Sequence, residues 1–314
     1  MLDFKMRCSN FVVNWNTIDE VFKGTGNYIY PVCAYLFVNE EKLLTEEMLL
    51  EHLDIFNQYQ DIFSTFPDDH IPALFTCLLA TMRNPIQELE NSIELYTELC
   101  KYFKGSENLM LGSIFVNGLI RRNQYAEIAK KTKDIYSLME SAHRILTSKE
   151  DIVYAMFMAI SARNNAKYIV SAADYYNQLK KKFSSGGTLL SLSYTLSMYD
   201  WANKATRVTQ LYNCLVSNKH YYGTSHELST LGVVAMTNAH LKLMAPQIVT
   251  ANKILFALKD YSSATSAKKA RLVHASMIVS SVYPYAKNET AEKIAIKTSV
   301  ARYSLFLTAV TGKI

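Results

Sequence analysis

The chain has 314 residues, 49% hydrophobic and 19% charged, with 10 Gly, 6 Pro and a formal net charge of +5. When compact, a chain of this length buries roughly three quarters of its unfolded surface, so it needs no disulfide or metal to fold, and its composition excludes a disordered protein. So few turn-forming residues also exclude a many-stranded β fold.

The N-terminal stretch MLDFKMRCSNFVVNW lacks a continuous apolar h-region and a small-residue cleavage site, so no export is expected. Leu2 to Lys23 predicts one helix, and Thr45-Glu46-Glu47 opens another with a cap and first-turn acids. Apolar segments begin near Tyr30 (YPVCAYLFV), Ile71 (IPALFTCLLAT), Leu109 (LMLGSIFVNGL), Ile152 (IVYAMFMAISA), Leu189 (LLSLSYTLSM), Leu228 (LSTLGVVAMT) and Leu272 (LVHASMIVSS). Their spacing is close to forty residues, the signature of a repeat. The longest apolar runs, such as Tyr28 to Val38, are about a dozen residues, short of the roughly 20 that span a bilayer. They read as buried core helices, and no membrane partner is expected.

An amphipathic segment follows each of the middle apolar ones. It carries Tyr with Leu or Met three residues later: Tyr96/Leu99, Tyr136/Met139, Tyr176/Leu179 and Tyr212/Leu215. That spacing places both side chains on one helix face, where Tyr is expected in the core rather than as a stacking platform. Pro72 and Pro246 are expected near helix starts, and Gly105, Gly186 and Gly223 where a helix can close in the left-handed conformation. The predicted fold is all-α, a right-handed-type α-α superhelix of about six or seven stacked hairpins. Residues 1–66 are expected as acidic N-terminal helices capping the array, and 67–314 as its repeat body.

Charge is uneven along the chain. Residues 1–100 hold 16 Asp/Glu against 5 Lys/Arg, whereas residues 101–314 hold 12 against 28. The acidic and basic portions either complement each other internally or serve association. Cys8, Cys33, Cys77, Cys100 and Cys214 are odd in number and scattered, fitting reduced thiols of a cytoplasmic protein. In that setting the Asn288-Glu289-Thr290 sequon is a chance match.

The seven histidines show no metal-binding spacing, and Gly24-Thr25-Gly26 lacks the third Gly and preceding strand of a dinucleotide fingerprint. Neither a metal nor a cofactor is expected. Asp68-Asp69-His70 reads as a helix cap with first-turn charges. Two candidates remain. The loop from His220 through Tyr221 and Tyr222 to His226 combines two imidazoles and two phenols near Gly223, as a ligand-contact loop or as a linker whose aromatics pack. The clusters Arg121-Arg122, Lys130-Lys131-Lys133, Lys180-Lys181-Lys182 and Lys268-Lys269-Arg271, with Arg163, would line one edge as a phosphate-binding strip if repeats place equivalent loops together. The bland alternative is Lys placed to favour helix C-termini.

The segment Leu189 to Met198 and the helices containing ELYTEL, DYYNQL and QLYNCL resemble a family of all-helical, domain-of-unknown-function proteins of Gram-positive Firmicutes. The resemblance implies a bacterial, cytoplasmic setting and supplies no catalytic residues. The leading expectation is a non-enzymatic scaffold holding a protein or peptide partner on a concave face. The alternatives are sequence-independent nucleic-acid binding by the basic body and a helical enzyme whose site is assembled from distant units.

Overall fold

The computed structural model describes residues 3–24, 27–39, 43–161, 165–184, 186–257, 265–285 and 289–312. Among these residues the secondary structure is helical, without strands, so the fold is all-α. In chain order the helices are α1 (Phe4–Phe22), α2 (Tyr30–Leu36), α3 (Glu46–Gln58), α4 (Gln60–Phe63), α5 (Ile71–Ala80) and α6 (Pro85–Cys100). Then come α7 (Glu107–Asn117), α8 (Tyr125–His143), α9 (Ile152–Ile160), α10 (Asn165–Leu179) and α11 (Gly187–Ser197). The last are α12 (Lys204–Ser217), α13 (Leu228–Ala235), α14 (Leu241–Phe256), α15 (Thr265–Ser280) and α16 (Ala291–Gly312).

The seven apolar segments fall on α2, α5, α7, α9, α11, α13 and α15, which form an inner layer. The amphipathic helices α1, α3, α6, α8, α10, α12 and α14 form an outer layer, each packing on the next. The two ends meet, because α14 packs against α1, and α1 also packs against α15. Arg7 of α1 donates from Nη1 to Ser281 Oγ, just beyond α15, at 2.7 Å. The array is thus closed: seven hairpins make a ring, the seventh packing on the first. The N-terminal helices α1 and α3 each pack on an outer helix to either side, α1 on α14 and α3, and α3 on α1 and α6.

The C-terminal helix α16 fills the axis. It packs on α2, α9 and α13, and its residues from Tyr303 to Ala309 are all buried. Tyr303 Oη donates to the Glu150 carbonyl (2.6 Å) and lies 3.1 Å from Asn108 Oδ1, and Thr308 Oγ1 donates to the His226 carbonyl (3.0 Å). Phe306 packs at a tilt on His70, ring centres 6.1 Å apart. These contacts reach α5, α7, α9 and α13 from one helix. An inner helix therefore meets the outer layer on one side and α16 on the other, which is why its sequence is apolar all round.

Local signals mostly act as their chemistry requires. Thr45 Oγ1 accepts from Met48 N at 3.2 Å, and Pro72 stands in the first turn of α5. Pro246 lies inside α14, which begins earlier, at Leu241. Gly105 and Gly223 do not have positive φ. Instead a Cβ would come within 2.4 Å of Tyr96 Oη at Gly105, and would overlap the Glu227 carboxyl at Gly223. Asp68 and Asp69 do not cap α5. His70 is fully buried there, with Nδ1 2.7 Å from Tyr28 Oη and Nε2 2.7 Å from Glu107 Oε1. The tautomer protonated at Nε2 satisfies both contacts.

Candidate functional site at one end of the ring

The starts of α5, α7, α9 and α13 all meet residues 303–308 of α16, whereas the ends of α2, α11 and α13 are bonded by Arg302, Lys204 and Arg207. The ring therefore has an N-end, where inner helices begin, and a C-end, where they finish. Helix dipoles place partial positive charge at the inner N-termini and partial negative charge at the inner C-termini.

At the N-end the side chains answer that field: Glu107 opens α7, Glu150 and Asp151 precede α9, and Glu227 precedes α13. Asp151 is buried, accepting from Ser148 N (2.9 Å) and Ser148 Oγ (3.2 Å). Burial pushes its carboxyl up to about 7. A cavity of about 200 Å³ beside it is lined by Ser191, His226, Ser229 and Leu307. Ser191 Oγ donates to Gly187 O at 3.2 Å and reaches Asp151 Oδ1 at 3.5 Å, so its described partners are a carbonyl and a carboxylate rather than an imidazole. That arrangement does not activate a nucleophile. The Tyr28–His70–Glu107 chain is no better placed for chemistry. Burial, then the charges of Asp69 and Asp68, push the Tyr28 phenol up to about 12 and keep it protonated.

At the C-end, cations close the inner helices. Lys204 Nζ donates to Leu196 O (2.9 Å), Arg302 Nη2 to Leu36 O (3.3 Å), and Arg207 to the carbonyls of Ala235, Thr237 and Ala239 (2.9, 3.0 and 3.2 Å). The segment from α15 to α16 crosses toward the axis, held by Trp201 Nε1 donating to Tyr285 O (2.9 Å) and Asn238 N donating to Pro284 O (2.7 Å). Two adjoining cavities open here, sharing Tyr168 and Asp200. One, of about 630 Å³, is walled by Tyr168, Tyr175, Tyr199 and Trp201 with Lys167 and Lys204. The other, of about 320 Å³, adds Glu292, Lys293 and Lys297 from the start of α16. Asp200 pairs with Lys293 at 3.5 Å, and Lys297 pairs with Glu289. Arg207 covers one face of Trp201 at 4.5 Å from the ring centre, and Lys204 lies 5.1 Å over Tyr175. These cation–π contacts fix the orientation of the aromatic walls.

The residues singled out in the sequence are not gathered at this site. Tyr222 is buried, its hydroxyl 2.9 Å from Thr230 Oγ1, while Tyr221 is exposed, His220 half-buried, and His226 faces the N-end cavity. The basic clusters do not share an edge. Arg121 and Arg122 precede α8 at the C-end, and Arg122 pairs with Glu94. Lys130, Lys131 and Lys133 stand along α8, with Lys133 5.5 Å over Phe103. Lys180, Lys181 and Lys182 follow α10 at the N-end, as do Lys268 and Lys269 in the first turns of α15. Arg271 is buried, 4.6 Å over Phe256 and donating to Asn252 Oδ1 at 3.1 Å. Arg163 and Asn288 lie outside the described residues. Conversely, Asp200 to Asn203, which supply part of this site, carry no recognisable motif in the sequence. One of two tryptophans in the chain, placed in a short polar loop, was the signal available there.

Among the described residues no group of three or more His, Cys, Asp or Glu could hold a metal ion, and no helix is long and apolar enough to cross a membrane. A family model described as "Protein of unknown function (DUF4003)" matches residues 14–302. No curated protein and no solved structure matches the chain.

Proposed function

We propose, from the premise that the chain belongs to the DUF4003 family, that it is a non-enzymatic binding module of the cytoplasm that receives a segment of a partner protein at the C-end of its ring. With α16 on the axis, the inner wall offers no concave face, so recognition moves to the ring's ends. The observation that carries the reading is the pair of adjoining C-end cavities walled by Tyr168, Tyr175, Tyr199 and Trp201. Rigid aromatics flanked by cations are the side chains that anchor binding interfaces. Asp200, the carboxylate shared by the two cavities, is engaged by Lys293, and neighbouring Glu289 by Lys297, which speaks against Asp200 acting as a free acid or base. Division of the basic clusters between both ends weakens the nucleic-acid reading, because a phosphate backbone needs a continuous track of cations.

The test is capture from native cells by tagged wild-type protein and by Trp201→Ala, each with and without nuclease and read by mass spectrometry. A stoichiometric, nuclease-resistant protein present with wild type and lost from a folded Trp201→Ala variant is expected. Identical captured sets from both proteins, or nucleic acid alone, would overturn the reading.

A further inference from the structure

Resting on that reading of the C-end, we infer that the 630 Å³ cavity is a subsite for a flat ring bearing an anionic group, phosphate or carboxylate. Three features of the cavity converge on this chemistry. Its walls are aromatic on several sides, and two of the rings are backed by cations that hold them in place: Trp201 by Arg207 and Tyr175 by Lys204. An inserted ring can stack on such faces without first ordering the walls. The cavity also carries positive charge. Lys167 stands exposed at the rim and Lys204 is buried in the wall, against the single carboxylate of Asp200, which is turned to Lys293 of α16.

The third feature is the start of α12. Its preceding residue, Asn203, has φ of 53°, its side chain makes no capping bond, and the first turn contains no acid. The start of α12 therefore has neither a side-chain cap nor an acid in its first turn, and Ala202 and Lys204 line the cavity there. Such a terminus favours an anion through the helix dipole. By comparison, Asp3 caps α1, Thr45 caps α3 and Ser106 caps α7, while α14 also starts without a side-chain cap or first-turn acid, away from this cavity. Tyr199 also belongs to the wall. It is fully buried, and its hydroxyl has no hydrogen-bond partner among the described residues. Stacking alone would accept any ring, and charge alone any anion. Their combination in one cavity selects a ligand that offers both.

Trp201 gives a direct readout. In a Trp15→Phe background, which leaves Trp201 as the remaining indole, fluorescence is titrated with phenyl phosphate, phenol and inorganic phosphate. Phenyl phosphate should bind at least tenfold more tightly than either half. Its affinity should fall severalfold in Lys167→Gln, a rim substitution that leaves the core intact, and between 50 and 300 mM salt. Equal affinity for phenol and phenyl phosphate would overturn the anion subsite, as would the absence of any response up to millimolar concentration. The two ideas fail separately. A partner captured through Trp201, with no response to phenyl phosphate, would remove the subsite and keep the protein-binding reading. Phenyl phosphate binding with no captured partner would keep the subsite as one for a free small molecule and remove that reading.

Discussion

Two buried titratable residues hold opposite places in the dependence of stability on pH. Burial pushes the Asp151 carboxyl up to about 7 and the His274 imidazole down to about 3. Asp151 binds its proton more readily folded than unfolded. Its stabilising contribution is fully present below the unfolded value of about 3.9 and is lost as pH rises through about 7. His274, set among Phe11 and Trp15 at ring distances of 5.8 and 6.3 Å, binds its proton less readily folded. Its contribution is present above the unfolded value of about 6.5 and is lost as pH falls toward 3. Between about pH 4 and 6.5 the two slopes oppose each other. Asp151→Asn should therefore steepen the loss of stability on acidification relative to wild type, and His274→Leu should flatten or reverse it. Thermal melts at pH 4.5, 5.5, 6.5 and 7.5 read the difference; parallel curves for all three proteins would refute it. Neither role was legible in the sequence. A buried Asp and a surface Asp look alike in one dimension, and what separates them is the far-off chain that removes their water.

At the scale of elements, much of the structure was legible. The seven apolar segments became the inner helices, because a helix sandwiched between two layers must be apolar on every side, and that shows in any window of the sequence. The repeated Tyr positions were also readable as packing positions, but their partners were not. Tyr96 meets Phe66 at 6.3 Å, Tyr136 meets Phe103 at 5.6 Å, Tyr176 meets His143 at 5.5 Å, and Tyr212 meets Phe183 at 5.4 Å. Three of these Tyr thus meet an aromatic residue at or just beyond the end of the preceding outer helix, and Tyr96 meets one just beyond α4, so the pairs stitch the outer layer together. Three of the four are near-perpendicular edge contacts, an arrangement worth about 0.5–1.5 kcal/mol beyond burial. A double-mutant cycle of Phe103→Leu and Tyr136→Leu should return a coupling in that range by denaturant unfolding. Strict additivity would mean the pair merely fills space. The candidate site was the least legible part. Its aromatics come from α10 and the loop before α12, its lysines partly from the entry to α16, and nothing local in any one of them signals the others.

Ring closure and the axial helix are properties of the whole molecule, and they change how it should respond to truncation. In an open array each unit leans only on its neighbours, so losing an end unit removes one interface and spares the rest. Here α1 is packed by α14 and α15 as well as by α2 and α3, and α16 touches inner helices around the circumference. No hairpin is terminal in the energetic sense. The sequence hid this because closure depends on how each hairpin packs on the next, accumulated over seven units, and because α16 lacks the Tyr pattern of the outer helices. Its own signal was present but easily read as one more core helix: from Val300 to Ala309 nearly every residue is apolar or small. Ending the chain at Lys287 removes α16 and uncovers the inner faces of α2, α9 and α13. An open array would keep sharp, cooperative melting after such a cut. The closed ring should instead retain helical far-ultraviolet dichroism while losing near-ultraviolet signal and gaining dye-binding apolar surface, the marks of a collapsed state without fixed packing. Removing residues 1–24 should produce the same loss from the opposite terminus, because both cuts break one closed circuit of contacts. A truncated chain that kept its cooperative transition at either end would show that the ring's seam contributes little, and that the hairpins stand on nearest-neighbour packing alone.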